Sequence, residues 1–84
     1  MGYPVPKWRG KGVIFSRHAT EELLDDCIAL EKVMHTLEEG VPTRERRKEG
    51  TIELVKGFKD EMLKVIVVDC GENWKVITVM KFQR

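Results

Sequence analysis

Hydrophobic positions follow a helical period from residue 16 to 39 and a strand period beyond it. Ala19, Leu23 and Cys27 recur at i, i+4 and i+8, with Leu24 widening the stripe, which predicts one face of an amphipathic helix. Ser16 stands at its N-cap position, Arg17 and His18 fall in its first turn, and Glu21, Glu22, Asp25 and Asp26 form the opposite face. A second helix reads from about residue 30 to 39, with Leu30, Val33, Met34 and Leu37 on its apolar side. Gly40 and Pro42 stop it.

The remainder reads as strands. Residues 43–49 form a polar, edge-like segment turned at Gly50, and residues 51–58 follow with Ile52 and Leu54 on one face. Lys59, Asp60 and Glu61 make a hairpin turn, and residues 62–69 are apolar on both faces, as a central strand requires. After a turn over residues 70–73, Trp74, Val76, Thr78, Met80 and Phe82 alternate with Lys75, Ile77, Val79 and Lys81 in the last strand. The pattern predicts an α+β domain: two N-terminal helices packed on a small antiparallel meander of three to four strands.

The start of the chain differs from the rest. Residues 1–12 read as a basic arm, held extended by Pro4 and Pro6 and loosened by Gly10 and Gly12. Residues 13–84 form the compact domain, opening with a short apolar stretch at Val13, Ile14 and Phe15 that suits a brief strand. Two readings of the arm stand side by side. Its aromatics, Tyr3 and Trp8, are interleaved with Lys7, Arg9 and Lys11, which suits stacking on single-stranded bases. Equally, the arm folds back and buries Trp8, because a small core gains much from one more aromatic.

Composition narrows the class. The 84 residues allow one small domain, and 42% apolar content is too high for a disordered chain. The net charge of +1 conceals segregation: residues 1–20 carry +4, residues 21–39 carry −6 and residues 40–84 carry +3. The longest apolar run, Val65 to Val68, is far short of the ~20 residues that span a bilayer, and no apolar signal segment opens the chain. Two cysteines, Cys27 and Cys70, fit reduced thiols in a cytoplasmic protein. Asn73 and Gln83 are the only side-chain amides, a bias that suits a heat-adapted organism.

Candidate chemistry centres on His18. Unpaired amides and the helix dipole at a helix N-terminus disfavour an imidazolium there, leaving a neutral ring able to take a proton. The same amides, joined by Arg17, make a small anion-binding site. The competing reading packs the ring on the sheet as a structural histidine; His35, on a polar helix face, is read as structural too. A second feature is the row Arg44, Arg46 and Lys48 on one face of the edge segment, ~6.8 Å apart as strand alternation dictates. That spacing suits phosphates along a nucleic-acid strand, and it equally suits a charged edge that resists aggregation. Lys56, Lys75, Lys81 and Arg84 complete the basic set. Two histidines and two cysteines match no metal-ligand spacing, and no glycine-rich phosphate loop or other cofactor signature is present.

Phe15-Ser16-Arg17-His18-Ala19, the following helix, the Ile28-x-x-Glu31-x-Val33 stretch, Gly40 and three strands ending near Thr78 resemble a small prokaryotic family of unknown function, number four-two-five-eight. The resemblance covers residues 13–82, and that family is similar in layout to RelE-, BrnT- and MqsR-type toxins of toxin–antitoxin pairs. It implies a RelE-like sheet with helices on one face and a metal-independent ribonuclease in which the ribose 2′-hydroxyl attacks the adjacent phosphate. It implies a cognate antitoxin-like small protein as partner, beside RNA. His18 matches the family histidine, Thr78 the threonine of the last strand, and Arg44 and Arg46 lie where members carry basic residues. Asp25-Asp26-Cys27-Ile28 stands where many members have Glu-Arg-Gly-Ile, so their arginine is absent. The expected site has His18 and Lys81 as catalytic groups, with Arg17, Arg44, Arg46, Lys56 and Thr78 on phosphate or RNA. The competing expectation is a non-catalytic interaction module that binds protein through its acidic helical face and a sheet edge.

Overall fold

The computed structural model describes residues 6–43 and 50–83. Two short strands come first, β1 (Lys7–Trp8) and β2 (Lys11–Phe15), followed by α1 (Arg17–Asp25) and α2 (Leu30–Glu39). Four more strands follow: β3 (Val41–Pro42), β4 (Thr51–Gly57), β5 (Glu61–Asp69) and β6 (Asn73–Gln83). Among the described residues they form one six-stranded sheet in the order β1-β2-β6-β5-β4-β3. Every pairing is antiparallel except β2 with β6, which is parallel.

This sheet is larger than the expected three to four strands, and it is mixed rather than a pure meander. The difference comes from residues 7–15. A chain rich in lysine, arginine and glycine carries little strand signal, yet Gly10, at φ +78°, turns Lys7–Trp8 back onto Lys11–Gly12. Trp8 is buried in the core, 4.8 Å from the Trp74 ring, with the Arg9 guanidinium over Trp8 and the Lys11 ammonium over Trp74. Two strands thus precede the helices, which are not the N-terminal elements they were expected to be.

Both helices form where their patterns predict, except that Cys27, expected on the apolar face of the first, lies beyond its end and is exposed. Ser16 Oγ accepts the Ala19 amide at 3.0 Å, satisfying one of the unpaired donors at the start of α1. At its end Ile28 N donates to Leu23 O and Cys27 N to Leu24 O, the paired bonds of a Schellman turn. Cys27 holds the left-handed position of that turn, φ +52°, where glycine is unstrained. Helix α1 packs on β6, and α2 on β5 and β4. Ala19, Val33 and Leu37 meet Leu54, Leu63, Val65, Val67, Trp74, Val76 and Val79 in one core on that side of the sheet.

Register along β6 departs from simple alternation. Thr78 pairs with Ile66 but Val76 pairs with Val67, so Ile77 is an extra residue in a β-bulge. Trp74 and Val76 face the helices, but beyond the bulge it is Val79 and Lys81 that do so, so the five residues expected on one face are split between two. Thr78, Met80 and Phe82 turn to the opposite, helix-free face, where Met80 and Phe82 are exposed beside Met62. Residues 44–49 of the edge segment expected at 43–49, with its basic row, lie outside the described residues, as do Tyr3 and Arg84; Thr43, its first residue, donates its amide to Glu53 O at 2.9 Å.

Candidate functional site

Strand β2 covers the outer edge of β6 only as far as the Phe15–Val76 pair. There the chain turns into α1: Ser16 N donates to Val76 O, and Ser16 Oγ lies 3.4 Å from Ile77 O. The helix runs on along β6 where β2 stops. Its side chains therefore supply partners for the edge that β2 leaves uncovered.

Glu22 does this directly. Its Oε1 accepts the Val79 amide at 3.0 Å and lies 3.3 Å from His18 Nε2, one helical turn back. The Glu22 side chain is 21% exposed and that of His18 is 67% exposed. The imidazole thus has on its Nε2 side a carboxylate anchored to the sheet, and the ring is largely exposed. Arg17, 94% exposed, pairs through Nε with Glu21 Oε1 at 3.3 Å beside the open N-terminal amides of α1. An imidazole so placed can exchange a proton with a bound molecule, and the amide end with Arg17 can meet an anion.

By helical spacing Glu22 belongs to the solvent face with Glu21, Asp25 and Asp26. The structure turns it inward, and its spacing of four residues from His18 was the available signal. Leu24, expected to widen the apolar stripe, is 74% exposed instead.

The remaining candidates are dispersed. Lys81 donates to the Asp26 carbonyl at 2.7 Å, capping the far end of α1, and lies 4.0 Å from Glu61 Oε2. Eight helical positions, about 12 Å of rise, separate His18 from that end, so Lys81 and His18 do not meet. Lys56, on β4, pairs with Glu39 Oε1 at 3.2 Å near the end of α2. Thr78 is half-buried on the helix-free face, next in sequence to the Val79 amide that Glu22 binds. Arg44 and Arg46 fall outside the described residues.

Two carboxylates are tuned by their neighbours. The Lys32 ammonium hydrogen-bonded to Glu61 holds that carboxyl below its ordinary value against the opposing effect of desolvation, and the Lys81 charge adds to the lowering. Asp69 is held low by its hydrogen bond from Lys11, at 2.6 Å, and by the Gly71 amide. Both belong to pairs that tie elements together. Among the described residues, no group of three or more His, Cys, Asp and Glu side chains is arranged to hold a metal ion. In the same residues, no helix is long and apolar enough to cross a membrane.

No curated protein and no solved structure matches this chain. A family model does, and its match begins at Phe15, one residue before the Ser16 cap, and ends at Lys81. With residues 15–81 matched, the chain belongs to the family described as Domain of unknown function (DUF4258).

Proposed function

We propose that this domain is a toxin-like, metal-independent RNA endonuclease of a toxin–antitoxin type pair, with His18 as its acid–base group. The observation that carries the reading is an exposed imidazole in the first turn of a capped helix, beside the exposed Arg17 guanidinium. Amide groups and the positive end of the helix dipole favour a phosphate at that place. His18 takes the proton of the ribose 2′-hydroxyl, the 2′-oxygen forms its bond to phosphorus, and the bond from phosphorus to the 5′-oxygen breaks. The leaving oxygen takes a proton from water, and the imidazolium returns its own to solvent. Products are a 2′,3′-cyclic phosphate and a 5′-hydroxyl. Arg17 lies where it can offset charge on the phosphorane, a form of electrostatic stabilisation. Arg44 and Arg46 extend the proposed RNA path by their place in the sequence, and Thr78 by its place on β6. An antitoxin-like small protein is the proposed cognate partner. The test is incubation of the full chain with 5′-labelled single-stranded RNA in EDTA. Fragments ending in cyclic phosphate, absent with His18→Ala, support the reading; equal cleavage by both proteins, or by neither, removes it.

A second reading rests on a different observation. Met62, Met80 and Phe82 are exposed together on the helix-free face, while the exposed acids of α1 and α2 lie on the other side. Apolar side chains grouped in this way suit a protein-binding surface, and acidic helices suit a basic partner. This interaction module predicts salt-sensitive association with a basic protein and no affinity for RNA at low salt.

A further inference from the structure

We infer that Glu22 is the positioning residue for His18, fixing the proton on Nε2 and leaving Nδ1 as the nitrogen that accepts the substrate proton. The reaction in this inference rests on the ribonuclease reading; the geometry does not.

The bulge in β6 sets the position of Glu22. An extra residue at Ile77 reverses the facing of everything after it and places Val79 in the core. The Val79 amide bonds Glu22 rather than β5, so it points to the outer edge, where β2 has already ended at Phe15. An amide left there needs an acceptor, because a half-buried donor without one costs stability. Glu22 supplies it, and the bond fixes the carboxylate in place. His18, four residues earlier on the same helix, brings Nε2 to 3.3 Å from the same oxygen.

A neutral imidazole carries one N–H and one lone pair. With Nε2 facing a carboxylate, which only accepts, the proton belongs on Nε2 and the lone pair on Nδ1. Among the described residues no hydrogen bond is made at Nδ1, and the ring is 67% exposed, which leaves that lone pair available to a bound molecule. A surface i, i+4 pair alone would leave both partners mobile. Here one partner is pinned to a β-strand amide, which turns an ordinary helical pair into an oriented base.

The test has two arms, on wild type, Glu22→Ala and Glu22→Gln. Nitrogen chemical shifts of His18, read by NMR above the imidazole titration range, report which ring nitrogen carries the proton. Wild type is expected to hold it on Nε2, Glu22→Ala to populate both tautomers, and Glu22→Gln to keep the wild-type pattern, since its amide oxygen can accept from the Val79 amide and present an acceptor to Nε2 in the same place. Protection of the Val79 amide from exchange reports whether each variant retains the fold at the edge. In the second arm, RNA cleavage by Glu22→Ala is expected to fall about tenfold or more in kcat with KM nearly unchanged, and Glu22→Gln to restore most of it. The same tautomer mixture in wild type and Glu22→Ala overturns the inference, as does an unchanged kcat in a folded Glu22→Ala. A tautomer shift with no cleavage by any of the three proteins upholds the positioning and overturns the ribonuclease reading alone.

Discussion

Glu22 accepts the backbone amide of Val79 across 57 positions of sequence, at 3.0 Å, and so joins α1 to the edge of β6 where the neighbouring strand has run out. A side chain thus completes a ladder that the backbone leaves open. Removing the acceptor leaves a half-buried donor unpaired. Glu22→Ala is expected to lower stability by about 1–2 kcal/mol and Glu22→Gln by less, measured by urea unfolding. Equal losses in both would mean that the carboxylate charge, rather than the hydrogen bond, holds the edge.

The bulge at Ile77 sets which residues of β6 the core receives. Val79 is fully buried and Met80 is 38% exposed, although they are neighbours. Val79→Asp buries a charge without a partner and is expected to cost several kcal/mol, a large share of the ~5–15 kcal/mol that holds small domains folded. Met80→Asp is expected to change stability by less than about 1 kcal/mol. Thermal unfolding followed by circular dichroism separates the two, and the reverse order would contradict the register described.

Cys27 occupies the left-handed position of the Schellman turn with a side chain that pays conformational strain there. Cys27→Gly is expected to raise stability by about 1 kcal/mol, the strain relieved exceeding the chain entropy that glycine loses on folding. A drop in the urea midpoint on this change would show that Cys27 makes a compensating contact.

Much of this arrangement was legible in the residues. Both helices, the Ser16 cap and the central position of residues 62–69 followed from spacing alone, because apolar stripes and caps are local signals. Facing beyond Ile77 was not legible, since a bulge adds one residue without marking itself in an alternating run. Strand β1 and the start of β2 were hidden for another reason: Lys7, Arg9, Gly10 and Lys11 carry no strand pattern of their own, and only Trp8, on the reading that buries it, and the brief apolar stretch Val13–Phe15 pointed to the sheet. Of the candidate site, His18 and Arg17 do share the start of α1, while Lys56 and Lys81 serve ion pairs and a helix end. Glu22 went unrecognised because its role depends on an amide far along the chain.

The two low carboxyl values set an acid dependence. Glu61 and Asp69 bind protons less readily when folded than unfolded, so the unfolded chain holds more protons at low pH. Their stabilisation is fully present above the ordinary carboxyl range, about pH 4, and is lost as pH falls through the lowered folded values. Chemical unfolding from pH 6 down to pH 2 is expected to show falling stability, with a shallower fall in the double variant Glu61→Gln with Asp69→Asn. Identical slopes in the two proteins would assign the acid sensitivity to other groups.

The most direct measurement compares single-turnover cleavage, in EDTA, of an all-ribose oligonucleotide and one carrying 2′-deoxyribose at the mapped cleavage position, by wild type and His18→Ala. Cleavage of the ribose strand by wild type alone, with the deoxy position resistant, is the result expected of 2′-hydroxyl attack assisted by His18. Cleavage that ignores the 2′-hydroxyl, or that persists in His18→Ala, would contradict it.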